Sequence, residues 1–331
     1  MNITNIKKHL KLGVSLCAWL LLFSCKQRDD YPVFEDPKIV EVEKDTIPPD
    51  NTKEALTQKI IDGTDVIKTF QMDSMTVLAP GVNRMHVRFK NKLDQAMSMQ
   101  VLELDLTQPK ISVFALSPFD DNLFTTQVLS DMAKYNEGRT GGRIIAAING
   151  DVATSGAPTG SFIRLGRQIK TSTTTATANT RPFIAVKNDE TVVIGNRPNT
   201  TVTLDPYNLN DFKHLVSGGT WLVYKGGLIT STVTTVQANT AIGITADKKI
   251  YAVLVDGVNN AFSVGITFND LGKIMKTLGC SHAFSTSVGT SAVMVQRDKG
   301  IDNEVAWRVV NKPATAAGGA NVNGIGFVVK D

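Results

Sequence analysis

Met85-His86-Val87-Arg88-Phe89 alternates apolar and polar side chains, and a period of two marks a strand with one buried face. Leu102, Leu104 and Leu106 against Glu103 and Asp105 repeat the pattern. Outward from these, further strands are expected at Phe183 to Val186, Thr191 to Ile194, Thr201 to Leu204, Ile250 to Val255 and Gly326 to Val329. Two stretches have helical spacing. Thr126 to Asn136 sets Leu129, Met132 and Ala133 on one side, and Thr267 is an N-cap ahead of Phe268, Leu271, Ile274, Met275 and Leu278, with Gly279 as the stop. Many strands and few helices predict an α+β fold with mixed or antiparallel sheets.

A weak internal repeat sharpens this. Arg181-Pro182-Phe183-Ile184-Ala185-Val186 leads through a turn at Asn188-Asp189 into the run Thr191 to Ile194. Asn239-Thr240-Ala241-Ile242-Gly243-Ile244 leads through a turn around Asp247 into Ile250 to Val255. Each copy follows a threonine-rich loop, Thr171 to Thr180 and Thr230 to Val236. The repeat predicts two equivalent hairpins around a central cleft, with chance similarity of β-hairpins as the competing explanation.

The first residues carry an address. Lys7, Lys8 and Lys11 precede an apolar run, Leu12 to Phe23, too short for a bilayer that needs about 20 residues. Leu22-Phe23-Ser24-Cys25 resembles the lipobox of bacterial lipoproteins. It implies a signal peptide over 1–24, a lipid on Cys25 as the link to a membrane, and residence in the cell envelope. The stretch to about residue 70, with Pro32, Pro37, Pro48 and Pro49 among acids and lysines, reads as a spacer, leaving 71–331 as the folded domain. Of the three cysteines, Cys17 leaves with the signal and Cys25 carries lipid, so Cys280 has no partner for a disulfide within one mature chain. Removing the three signal lysines lowers the formal charge from +4 to +1, and no sustained basic stripe points to nucleic acid.

Chemistry concentrates where apolar runs end in turns. Ala146-Ala147-Ile148-Asn149-Gly150-Asp151 is followed by Gly156-Ala157-Pro158-Thr159-Gly160. A buried strand delivering polar residues into a Gly/Pro loop builds a site on a rigid edge, and reads equally as a hairpin turn. Asp256-Gly257 after Tyr251 to Val255 has the same form, with the turn reading favoured. Ser217-Gly218-Gly219 has the backbone freedom to approach an anion or a sugar hydroxyl. His86, His214 and His282 lack the spacing of a zinc site, Gly289-Thr290-Ser291-Ala292-Val293 lacks the second glycine of a nucleophile elbow, and no phosphate-cradling Gly-Lys-Ser/Thr loop occurs. No cofactor or metal is expected.

These segments, taken in order with Val216 to Leu222, Ala241 to Ile244, Leu254 to Gly257 and the helix from Thr267 to Gly279, resemble the phosphodiester glycosidase family, which includes the enzyme that uncovers mannose 6-phosphate. The resemblance runs from about Met85 to Val329. It implies a carbohydrate or sugar-phosphate ligand and hydrolysis of a sugar-1-phosphodiester. By that resemblance Asp151 and Asp256 supply acid-base function, and Asn149, Gly150, Thr159, Arg164, Arg181, Ser217, Gly218 and Gly219 hold sugar and phosphate. Four positions depart from the family pattern: Asn239 and Val258 stand where it has arginine, Ser287 where it has an acid, and Val288 where it has glycine. Neither asparagine nor valine replaces a bidentate cation, and a β-branched residue at 288 opposes positive φ in a tight loop. The expectation is a weakened catalytic centre, with a non-catalytic glycan- or partner-binding lipoprotein as the alternative.

Overall fold

The computed structural model describes residues 52–171, 181–196, 207–257, 259–299 and 305–331. Cys25, the strand expected at 201–204 and Val258 lie outside them.

Alternation at Met85 to Phe89 resolves as expected: Met85, Val87 and Phe89 are buried while His86 and Arg88 are only partly covered. They lie in an eight-stranded antiparallel sheet. Its order is β1 (Thr69–Ala79), β2 (Val82–Lys90), β3 (Ala96–Asp105), β17 (Lys249–Val255), β16 (Asn239–Thr245), β18 (Cys280–Ser285), β14 (Trp221–Tyr224) and β15 (Gly227–Leu228). A second sheet runs β10 (Arg167–Lys170), β9 (Phe162–Arg164), β13 (Phe212–Ser217), β11 (Pro182–Lys187), β12 (Val192–Asn196). The third runs β20 (Val305–Val309), β19 (Met294–Lys299), β6 (Gly142–Asn149), β22 (Gly324–Lys330), β4 (Ile111–Leu116). Two-residue ribbons join β5 (Gln127–Val128) to β21 (Ala320–Asn321), and β7 (Ala153–Thr154) to β8 (Ala157–Pro158). Three α-helices, α1 (Ala55–Gly63), α2 (Leu129–Asn136) and α3 (Phe268–Thr277), complete the described α+β fold. None is long and apolar enough to cross a membrane.

The central core joins all three sheets, with Leu102, Ile148, Ile184, Ile242, Phe284 and Phe327 in one apolar cluster. Fully burying each such side chain contributes roughly 1.5–3 kcal/mol. Both expected hairpins form. β11 pairs with β12 through Ile184 and Ile194, and β16 pairs with β17 through Ile242 and Ala252. Each is flanked on its other side by one more antiparallel strand, β13 or β18.

Two boundaries move. The spacer was expected to reach residue 70, but the folded unit starts at Thr52. Within it, α1 buries Thr57 and Ile60, and Ile60 joins Leu271, Ile274, Met275 and Leu278 of the neighbouring helix segment in one cluster. Lys59 Nζ caps the carbonyl of Leu278 at 3.1 Å and Thr277 Oγ1 donates to Gly63 O at 3.1 Å. A short apolar stripe among charges conceals this docking in the sequence. The helix expected from Thr126 begins at Leu129, because Gln127 and Val128 are extended to pair with Asn321 and Ala320. The second helix starts as expected, the Thr267 hydroxyl accepting from Asp270 N at 3.1 Å, and Gly279 takes φ +98° just beyond its end.

Candidate active site

β6 is apolar and buried from Ile144 to Ile148, and its first polar side chain, Asn149, emerges where several segments meet. Asn149 Nδ2 donates to Thr286 Oγ1 (2.9 Å), Ser287 O (2.8 Å) and Ser287 Oγ (2.9 Å). Its Oδ1 accepts from Thr240 Oγ1 (2.9 Å) and Val293 N (3.1 Å). One fully buried amide thus ties β6 to β16, to the exit of β18 and to the entry of β19. Its hydrogen-bonding capacity is spent on the protein, so it organises the site.

Gly150 N donates to Asn323 O at 3.1 Å, and its carbonyl accepts from Ser287 N at 2.8 Å. A Cβ at 150 would collide with Asn323 Oδ1, which accepts the N–H of Asp151 at 2.8 Å. Asp151 itself is buried. Its Oδ1 accepts from Val152 N at 2.8 Å and pairs with Arg181 Nη2, while Oδ2 accepts from Gly160 N at 2.6 Å. The Gly156–Gly160 loop is therefore folded onto the carboxylate. Thr159 fastens it further, donating from Oγ1 to Val152 O at 2.8 Å. Burial pushes the Asp151 carboxyl above the ordinary aspartate range, opposed first by the charge of Arg181 and then by the Gly160 N–H.

Asp151 and Arg181, expected in separate roles, meet as an ion pair. Arg164 does not join them: buried on β9, it forms its ion pair with Asp120 and lies 5.6 Å over the Phe114 ring. The expected amide cradle is also occupied. Gly218 N donates to Pro182 O at 2.8 Å and Gly219 N to Ser285 O at 2.6 Å, while Ser217 Oγ donates to Ser161 O at 2.9 Å. The two glycines serve close approach instead, since a Cβ on Gly218 would strike the Phe284 ring.

Asp256 sits just past β17, beside Asn239, which pairs with Val255. Both are buried. Asp256 Oδ1 accepts from Lys312 N (2.8 Å) and Asn311 Nδ2 (3.1 Å), whereas Oδ2 and Asn239 Oδ1 are buried without a partner of hydrogen-bonding geometry. Burial raises the Asp256 pKa, against the Lys312 and Asn311 bonds. No hydrogen bond among the described residues joins Asp256 to Asp151. The link runs through Asn311, which donates to Ala292 O and accepts from Met294 N, to Val293 and Asn149. Ser287 does adjoin the Asp151 side of the site through Asn149 and Gly150. The strain expected at Val288 is absent. Val288 is extended at φ −123°, and the positive φ of this loop, +66°, falls on Gly289, whose N–H then reaches Ala238 O at 2.8 Å.

Asn323, Asn311, Thr240 and Thr286 were not singled out from the sequence. For Asn323 a signal existed: Asn323-Gly324 abuts an apolar run, as Asn149-Gly150 does. Among the described residues no group of three or more His, Cys, Asp or Glu side chains is placed to hold a metal ion.

On β13 the His214 ring lies tilted against Phe114 with centroids 4.2 Å apart, and burial pulls its pKa down to about 3. Below about pH 6.5, the unfolded imidazole takes up a proton that the folded one refuses, so stability falls with falling pH. The slope contributed approaches about 1.4 kcal/mol per pH unit between pH 6 and 4. Urea melts of His214→Phe are expected to be flatter than wild type over that interval; equal slopes would refute it.

The family profile for phosphodiester glycosidases matches residues 142–328, which takes in Asn149, Asp151, Arg181, Asp256 and Asn323. No curated relative matches the chain in sequence. Among solved structures, a hypothetical protein from Synechocystis superposes with TM-score 0.56 at 11% identity, covering 78% of this chain; this chain spans 64% of that one. The catalytic domain of zebrafish N-acetylglucosamine-1-phosphodiester alpha-N-acetylglucosaminidase, auto-inhibited by its pro-peptide, gives TM-score 0.53 at 16% identity, with 80% of this chain and 88% of that one covered. A protein from Burkholderia pseudomallei K96243 gives TM-score 0.53 at 11% identity, with 80% and 98% covered. These likenesses fix the fold, and with more than half of the chain under the profile, the protein belongs to the phosphodiester glycosidase family.

Proposed function

We propose that this domain binds a sugar-1-phosphodiester against the Asp151–Arg181 pair and hydrolyses it only weakly. The observation that carries the reading is that a buried carboxylate and a cation are held together by strand ends and a closed glycine loop, while Ser287, at the family's acidic position, is committed to Asn149. Breaking a sugar–phosphate bond needs a proton donor or carboxylate at the anomeric centre and cations on the phosphate. Asp151 and Asp256 take the acid-base roles. Loss of one stabilising group commonly costs about 100- to 1000-fold in rate, so changes at Asn239, Val258 and Ser287 together leave little turnover.

In this reading the two hairpins, β11–β12 and β16–β17, are copies of one unit flanking the cleft. A lipid on Cys25 holds the domain in the envelope of a bacterial cell, where it meets glycans outside the cytoplasm. The second reading, a non-catalytic glycan- or partner-binding lipoprotein, is favoured by the complete use of the Asp151 and Asn149 side chains within the protein.

Incubation with a panel of glycosyl phosphodiesters from pH 4 to 8 should release sugar slowly. The triple change Ser287→Asp, Val288→Gly and Asn239→Arg should raise the rate at least 100-fold. No release by either protein would reject hydrolysis and leave the binding reading.

A further inference from the structure

In the eight-stranded sheet Arg88, Ser98 and Asp256 form one cross-strand row. Arg88 pairs with Ser98, and Asp256 N donates to Ser98 O at 3.0 Å. Directly opposed residues project to the same face, so Arg88 and Ser98 point the same way. Phe262 follows in a turn whose N–H bonds Asn259 O at 2.8 Å. The Arg88 guanidinium lies 4.0 Å from the Phe262 ring centroid, and the Lys312 ammonium lies 4.7 Å from the same centroid. Lys312 is anchored there by its own N–H on Asp256 Oδ1 at 2.8 Å.

Two cations therefore share one aromatic ring, and among the described residues neither has a carboxylate within ion-pair distance. At most about 9 Å therefore separates the two charges, which repel by about 2 kcal/mol at an effective dielectric of about 20, and an anion within reach of both would reverse that. Asp256 supplies only part of that anion, since its Oδ1 is taken by Asn311 and Lys312 N and burial favours its protonated form. Its Oδ2 is buried without a partner of hydrogen-bonding geometry, and the Ser98 hydroxyl and the Arg88 charge both act to lower its pKa. The other cations of β2 are spent elsewhere, Arg84 on Gln296, Gln100 and Thr76 and Lys90 on Asp94. His86 is engaged with Ser98 Oγ at 3.2 Å.

We propose that Arg88 and Lys312, mounted on Phe262, seat the phosphoryl group of the ligand, in place of the arginines that the family carries at positions 239 and 258. Asn239 lies opposite Val255, next to Asp256, so the cation lost at 239 and the two on Phe262 flank one carboxylate. This rests on the sugar-phosphodiester reading above and names the residues that make its phosphate contact. Guanidinium and ammonium on phosphate oxygens give charge-assisted bonds of the strong class.

The test is calorimetric titration of the full mature chain with N-acetylglucosamine-1-phosphate and with free N-acetylglucosamine. Wild type is expected to prefer the phosphate ester at least about tenfold. Arg88→Gln and Lys312→Gln should each remove most of that preference without changing affinity for the free sugar, and Arg88→Lys should keep much of it. Lys312 is exposed, so Lys312→Gln reports on binding even where Arg88→Gln melts early. If the ester is preferred equally by wild type and both glutamine variants, the seat lies elsewhere and the family reading stands. If neither compound binds wild type, both proposals fall.

Discussion

Asn149→Asp is expected to be among the most damaging single-atom changes in this domain. The substitution exchanges the Nδ2 donor, which serves Thr286 Oγ1, Ser287 O and Ser287 Oγ, for an oxygen that repels acceptors. At neutral pH it also buries a negative charge whose partners among the described residues are all neutral. Each buried polar group left without a partner costs about 1–3 kcal/mol, and the unpaired charge adds to that. A loss of at least about 4 kcal/mol follows, a large part of the roughly 5–15 kcal/mol that holds a domain. Urea unfolding followed by circular dichroism measures it; a loss below about 1 kcal/mol would mean that Asn149 does not knot these strands together.

Arg181→Met is expected to cost about 3–5 kcal/mol at pH 7, because it strands the buried Asp151 carboxylate. The pH dependence separates this from a packing defect. Without Arg181 the folded pKa of Asp151, already raised by burial, rises further above its unfolded value. The penalty is then complete above the folded pKa and is relieved as pH falls through it. Asp151→Asn should cost less, since the stranded Arg181 is partly exposed and its guanidinium can turn toward water. Adding Asp151→Asn to Arg181→Met should recover part of the stability. Equal losses for Arg181→Met at pH 4 and pH 7 would contradict the ion-pair account.

The sheets and the Thr267 helix were legible because their information is local: a period of two at Met85 to Phe89 and an N-cap with helical spacing after Thr267 need no distant partner. Asn149, Gly150 and Asp151 were legible as a turn with polar cargo. What the turn would grip was not, because Asn323 comes from the connection just before β22, Thr240 from β16 and Thr286 from the exit of β18, all far along the chain. Arg164 and Arg181 look alike in sequence, yet Asp120 claims the first and Asp151 the second. That choice depends on Phe119 and Asp120 both taking positive φ, at +56° and +57°, which no side-chain pattern announces. The chain before Phe70 misled for the opposite reason, its few apolar residues being enough once α3 offers them a face.

The sheet that carries Asn149 also sets the order of assembly. β22 lies between β6 and β4, and its Gly324 pairs with Asn149, about 175 residues earlier in the chain. During synthesis β4 and β6 wait with open hydrogen-bonding edges through the making of two other sheets, the interval in which strands find wrong partners. Changes in Gly324 to Lys330 should therefore reduce the yield of native protein as well as its final stability, since Ile325 and Phe327 also belong to the central core.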